Sequence, residues 1–393
     1  MGTDQFTSPS GGDGMLHAAQ HAQHTVHTPD APTKADFFTV ELNHSQWVVP
    51  TRYSDLQAIG SGAYGSVCSA FDTQLHRRVA IKKLTKPFLA QEYAKRSYRE
   101  LRILAHMNHE NLLCLVDAFS PQDSLETFSD LYLVTPFMQM NLRTVMSSNE
   151  LSEEHVRYLV YQLFCALKYM HSCGLIHRDL KPENIGVNED CELRLLDFGL
   201  ARQRDEHMTG YVTTRWYRAP EVILEWEHYD QQVDIWSAAC IMSELRTRKT
   251  LFPGLNYIDQ IRLIISFLGT SDEEYSQKAQ KLTSDCGPFT PPDFNEHFSA
   301  FSKEGIDLLG KLLRIDPRRR LTAGEALDHP YFISLRDKLC ESVGEPFDDP
   351  VEHLMEVSIE DWKGHIWTTL INFVPKLDSF ILDDACGNGS RSR

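Results

Sequence analysis

His177-Arg178-Asp179-Leu180-Lys181-Pro182-Glu183-Asn184 is the stretch on which the reading of this chain turns. Charged surface loops are common, but this one sets an acid, a lysine and an amide at intervals of two and three. Asp179 can accept a proton from a hydroxyl, Lys181 can neutralise a phosphoryl group in transit, and Asn184 can ligate Mg²⁺. A short apolar strand, Leu193 to Leu196, follows and ends on Asp197-Phe198-Gly199. A carboxylate at a strand end with glycine beside it suits a metal ligand with room around it.

Upstream, Val79-Ala80-Ile81-Lys82 reads as a lysine on a buried strand, and Glu100 stands in the helix that follows. Lysine usually reaches for water. A Lys–Glu pair bridging strand and helix would instead aim the ammonium at a phosphate. Earlier still comes Gly60-Ser61-Gly62-Ala63-Tyr64-Gly65-Ser66-Val67. A dinucleotide fingerprint needs a helix opening at its third glycine. Here a strand follows Gly65, so the glycines read as the bend of a hairpin whose amides can lie close over phosphates.

Around these motifs the chain changes character. Alternating residues from Leu56 to Phe71, then Arg78 to Leu84 and Leu131 to Phe137, predict strands. Residues 90–107 predict a helix with Ala94, Tyr98, Leu101 and Ala105 on one face. Ser152 is a good N-cap for a helix that Gly174 ends. Helices are also expected over 231–247, 255–268 and 303–314, with Pro317 and Pro330 as stops. The result is a small β-rich lobe and a larger helical lobe, joined near Met138–Asn141.

The whole chain has 393 residues, 42% of them hydrophobic and 24% charged, which is ordinary globular usage. Its net charge of −16 argues against a general nucleic-acid binder and favours basic partners. No apolar run is long enough to suggest a membrane span. MGTDQFTSPS has neither the basic nor the apolar region of a secretory signal, and Phe6 stands where a myristoylation motif wants Ser or Thr. The nine cysteines contain no C-x-x-C pair and fit reduced thiols. Residues 1–36, rich in Gly, Pro, Thr, Gln and His, read as a flexible tail. His17, His21, His24 and His27 would share a face if helical, but a solvated tail is the simpler account.

Together with Ala219-Pro220-Glu221, these motifs resemble those of the eukaryotic Ser/Thr protein kinases over residues 50–375. The resemblance implies an α+β fold of two lobes, with an N-lobe over 37–138 and a C-lobe over 139–332. It also implies an extension over 333–380 that packs across the lobes, and a frayed end over 381–393. It implies ATP and Mg²⁺. Ile59, Gly60, Ser61, Gly62, Ala63, Tyr64, Gly65 and Val67 would cover ATP, with Ala80 beside them. Lys82, held by Glu100, would contact its phosphates. Thr135 would stand behind the adenine, and Met138 would supply the hinge contact. Asp179 would be the catalytic base with Lys181 beside it, and Asn184 and Asp197 would hold Mg²⁺.

The segment Met208-Thr209-Gly210-Tyr211-Val212-Thr213-Thr214-Arg215-Trp216-Tyr217-Arg218 resembles the mitogen-activated protein (MAP) kinases of the stress-activated Thr-Gly-Tyr class. That resemblance implies a proline-directed enzyme switched on by phosphorylation of Thr209 and Tyr211. Arg96, Arg99, Arg178 and Arg202 would meet the first phosphate, and Arg215 the second. It implies an upstream dual-specificity MAP kinase kinase, substrates with basic docking motifs and Ser/Thr-Pro sites, phosphatases, a monomer, and residence in cytoplasm and nucleus. No nucleic acid and no membrane enter. Glu189, Asp190, Asp337 and Glu341 are the expected docking acids, although Lys338, Leu339 and Cys340 stand where more carboxylates are usual. Asn141 and Gln139 depart from the family's ribose-binding acid and hinge glycine, and the insert over 271–302 is shortened. The alternative is a pseudokinase or scaffold that binds basic motifs without catalysis; intact Lys82, Asp179, Asn184 and Asp197 weigh against it.

Overall fold

Two hairpins open the fold. A computed structural model describes residues 36–62, 65–148, 150–203, 215–224, 230–269, 291–351 and 357–375. Strands β1 (Phe37–Leu42) and β2 (Ser45–Pro50) pair antiparallel. Strands β3 (Tyr53–Gly62) and β4 (Gly65–Asp72) follow, with Gly62 opposite Gly65. The glycine cluster is therefore a hairpin bend, as the strand after it predicts. A Cβ on Gly65 would meet the Lys83 carbonyl oxygen at 2.7 Å, so β4 can run this close to its neighbour only with glycine there.

β5 (Arg77–Leu84), β6 (Asp117–Phe119) and β7 (Tyr132–Pro136) complete a five-stranded antiparallel sheet in the order β3-β4-β5-β7-β6. Helix α1 (Gln91–His106) buries Ala94, Tyr98 and Leu101 of the predicted stripe, with Ala105 half-buried. The sheet edge β6 has no strong sequence pattern, because three residues are too few to show a period.

Helices dominate from residue 142 onward. α2 (Leu142–Ser148) leads into α3 (Glu153–Ser172). The Ser152 hydroxyl accepts the His155 N–H at 3.3 Å, and Gly174 turns the chain away at φ +78°. α4 (Pro220–Leu224) precedes α5 (Gln232–Thr247), which is buried continuously from Val233 to Leu245 and forms the axis of this lobe. α6 (Tyr257–Leu268) packs on α4, α7 (Phe294–His297) follows, α8 (Lys303–Leu312) packs on α5, and α9 (Ala323–Leu327) packs on α3. Pro317 and Pro330, expected as stops, each open a short 3-10 turn instead, Pro317–Arg319 and Pro330–Phe332. A fixed φ and a missing N–H suit a first helical position as well as they forbid an interior one.

The C-terminal segment returns to the first lobe. Helix α10 (Ile359–Ile371) packs on α1, with Trp362 buried and its ring 5.1 Å from that of Tyr98. The buried Asp349 carboxylate accepts the Tyr98 hydroxyl at 3.0 Å and Arg102 Nε at 2.9 Å. Gln91 Nε2 donates to the Val357 carbonyl at 2.7 Å. No helix among the described residues is long and apolar enough to cross a membrane, and the seven described cysteines are free.

Candidate active site

A cleft of about 510 Å³ opens beneath the β3–β4 hairpin. Of the residues expected to hold ATP, Ile59, Gly60, Ser61, Gly65 and Val67 line it from above. Ala80, Lys82, Thr135 and Met138 line its inner wall, with Ala80 directly opposite Thr135 in the sheet. Gly62 ends β3 at the bend, and Ala63 and Tyr64 lie outside the described residues. Leu133, Leu104 and Leu196 add an apolar lining that single residues without a motif do not advertise in sequence.

The inner wall carries the charges. Lys82 Nζ is paired with the Glu100 carboxylate and stands 4.0 Å from Asp197 Oδ1. Burial works against the Lys82 ammonium, but Glu100 and Asp197 outweigh it and raise its pKa above the ordinary lysine value. Burial likewise works against the Asp197 carboxylate; Lys82 and Arg96 outweigh it and hold its pKa below the usual range. Asp197 sits in the left-handed region at φ 56° and accepts the Gly199 N–H at 3.2 Å. The Arg96 guanidinium lies over Gly199, where a Cβ would meet it at 2.6 Å.

The catalytic loop is built from short bonds. Lys181 Nζ donates to Asp179 Oδ2 at 2.7 Å, and Asn184 Nδ2 donates to the same oxygen at 2.9 Å. The Asn184 amide oxygen has no hydrogen bond among the described residues, so it and Asp197 present two oxygen donors to the cleft. Hard cations take such donors, so the pair fits Mg²⁺. Beneath the loop lies a residue that the motifs did not flag. Asp234, fully buried on α5, accepts the backbone N–H groups of His177 and Arg178, each at 2.9 Å, and bonds His171 Nε2 at 2.9 Å. Glu221 similarly finds a buried partner in Arg320, through two bonds of 2.6 Å.

Thr209 and Tyr211 lie outside the described residues. The arginines expected to meet their phosphates stand on separate elements. Arg96 covers Gly199, Arg99 is buried on α1, and Arg178 Nη1 reaches the Leu200 carbonyl at 3.4 Å. The Arg202 backbone pairs with Ile176, just before the catalytic loop. Arg215 Nη1 donates to the Leu255 carbonyl at 2.7 Å.

The docking acids divide. Glu189, Asp190 and Asp337 are exposed. Consecutive residues of α3 tie the two sites together: Tyr161 receives the Asp337 N–H at 2.8 Å and Gln162 donates to the Cys191 carbonyl at 2.9 Å. Glu341 corrects the expectation. Its carboxylate is buried and bonds the Tyr161 hydroxyl at 3.1 Å and Arg336 Nη2 at 2.8 Å, with Lys168 at 3.7 Å. It is an internal counter-ion and offers nothing to a peptide outside.

Comparison with known proteins agrees with this geometry. The family described as the protein kinase domain matches residues 53–332. The chain is 50% identical over 352 residues to mitogen-activated protein kinase 14 of Xenopus laevis, covering 87% of this chain and 96% of that protein. It is 51% identical over 348 residues to mitogen-activated protein kinase 13 of Homo sapiens, covering 87% and 95%. An assembled lysine–glutamate pair, a braced catalytic loop and this degree of identity converge on one assignment: the chain is a protein Ser/Thr kinase and belongs to the mitogen-activated protein kinases.

Proposed function

We propose that this kinase is of the stress-activated type, switched on by phosphorylation of Thr209 and Tyr211 and directed to Ser or Thr followed by proline. The observation that carries the reading is the preassembled site, Lys82 on Glu100 and Asp179 braced by Lys181 and Asn184, in a chain whose Thr209-Gly210-Tyr211 precedes Arg215-Trp216-Tyr217-Arg218. ATP bound with Mg²⁺ supplies the transferable phosphoryl group and neutralises its charge. Lys82 would orient the phosphates, and Asn184 and Asp197 would hold the metal. Asp179 takes the proton of the substrate hydroxyl, while Lys181 supplies a positive charge beside it. The products are ADP and a phosphoprotein.

Regulation follows from charge. A phosphate on Thr209 would add about −2 and seek Arg178, Arg202 and the α1 arginines, holding α1 and its Glu100 in place against Lys82. An upstream dual-specificity MAP kinase kinase would add the two phosphates and phosphatases would remove them. Substrates would dock basic segments on Glu189, Asp190 and Asp337, in cytoplasm and nucleus. The test is phosphate transfer from ATP to a Ser-Pro peptide by the doubly phosphorylated protein, with Asp179→Asn as control. Transfer by the active form alone supports the reading. Equal transfer by a Thr209→Ala/Tyr211→Phe form exposed to the same activator overturns it.

A further inference from the structure

Arg143 has no place in any motif, yet its guanidinium is spent entirely beside the catalytic loop. Nε donates to Glu183 Oε1 at 2.9 Å, and Nη1 donates to Glu244 Oε1 at 2.7 Å. Nη2 donates to the Tyr217 hydroxyl at 2.5 Å. Tyr217 in turn donates to Glu244, which also accepts the Thr250 hydroxyl at 2.9 Å. Four separate pieces of chain meet on one side chain: α2, the turn Pro182–Asn184, the segment before α4, and α5.

The place matters as much as the bonds. Glu183 lines the cleft and adjoins Asn184, which holds Asp179. A peptide that offers a hydroxyl to Asp179 must lay its neighbouring residues, about 3.5 Å apart, across this ground. Two carboxylates side by side there would be a ready anchor for a lysine or arginine of the peptide, by charge and by fork geometry. Glu244 is sealed, its side chain 4% exposed, but Glu183 is 41% exposed and within a ligand's reach. The chain fills that anchor with an arginine of its own.

We propose that Arg143 is a specificity-determining residue. By neutralising Glu183 and Glu244 from within, it denies a basic substrate side chain its anchor next to Asp179. Selection is left to the residue after the acceptor. The inference rests on the peptide-kinase reading above and concerns which peptides that kinase takes.

The test uses the full, activated chain and a Ser-Pro peptide with arginine scanned through the positions preceding the serine. The readout is kcat/KM for each arginine peptide relative to its alanine counterpart. Wild type gives a ratio near one or below. Arg143→Gln raises it by about tenfold at one position, the worth of a charge-assisted hydrogen bond, chiefly through KM. Adding Glu183→Gln to that variant cancels the gain. Should Arg143→Gln fail to fold, Arg143→Gln/Glu244→Gln removes the stranded buried charge and still frees Glu183, so the ratio still rises. A folded variant in which both peptides change equally shows a purely structural arginine and overturns the proposal. Absence of transfer to every peptide by activated wild type overturns the peptide-kinase reading and this inference with it.

Discussion

Asp234 holds Arg178 by the backbone: its carboxylate accepts the Arg178 N–H at 2.9 Å and so fixes a non-glycine residue at φ 71°. Left-handed backbone is costly for arginine, and persists where surrounding bonds over-determine it. The same carboxylate takes the His177 N–H, so one buried acid sets the entry to the catalytic loop. Asp234→Asn turns one acceptor into a donor facing backbone N–H. Peptide kcat should fall by at least about a hundredfold while far-UV circular dichroism stays native. An unchanged kcat would show that the loop positions itself.

The same acid predicts how stability depends on pH. Burial alone would push the Asp234 carboxyl up, but the His171 hydrogen bond and the charges nearby outweigh it, so its pKa lies below the ordinary aspartate value. A depressed carboxyl stabilises the fold above the unfolded pKa of about 4 and loses that contribution as pH falls through the folded value. Melting temperature should therefore be level from about pH 5 upward, so far as this group sets it, and fall in more acid solution. In His171→Leu the folded pKa moves up toward the unfolded value, so the acid fall should start at the same pH and be smaller. Thermal melts of both proteins across the acid range decide the point.

Gly199 is a tight spot with an electrostatic use. A methyl group there would displace the Arg96 guanidinium, which helps hold Asp197 ionised. Gly199→Ala should cost about 1–3 kcal/mol in stability. It should also lower kcat more than it raises KM for peptide, because the carboxylate proposed to hold the metal is the group disturbed. Steady-state kinetics with intact circular dichroism is the check; equal effects on kcat and KM would point elsewhere.

Asp349 ties the C-terminal segment to α1. Asp349→Ala leaves the buried Tyr98 hydroxyl without its acceptor and frees Arg102, at a cost of about 2–3 kcal/mol. Urea unfolding should show a lower midpoint with an unchanged slope. If the midpoint holds, the clasp contributes nothing to stability.

Most of the two-lobed fold was legible because its elements are long or capped: the α1 stripe, the Ser152 cap, the strand runs on either side of Gly60–Gly65. The core of the site was legible too, since Lys82, Asp179, Asn184 and Asp197 sit in contiguous motifs. What sequence could not show is pairing across distance. Asp234, Arg320 and Arg143 act on residues from 40 to 101 positions away and belong to no local pattern. Glu341 misled for a related reason: the resemblance placed it among the docking acids, and only the fold shows Tyr161 and Arg336 closing on it. Proline misled because one local rule, a fixed φ, serves a helix start as readily as a stop.

The clasp on α1 also orders events in time. The Tyr98–Asp349 and Gln91–Val357 bonds join residues 251 and 266 positions apart. A chain made from its N-terminus forms α1 early and leaves it without an outer wall until almost the last helix has emerged. Contacts of such separation are also the slow ones in refolding. The glutamate that aligns Lys82 therefore rides on an element completed near the end of synthesis. A nascent or truncated chain lacking residues beyond 348 carries every catalytic motif, yet has Tyr98 open to water and the Glu100 helix unbraced.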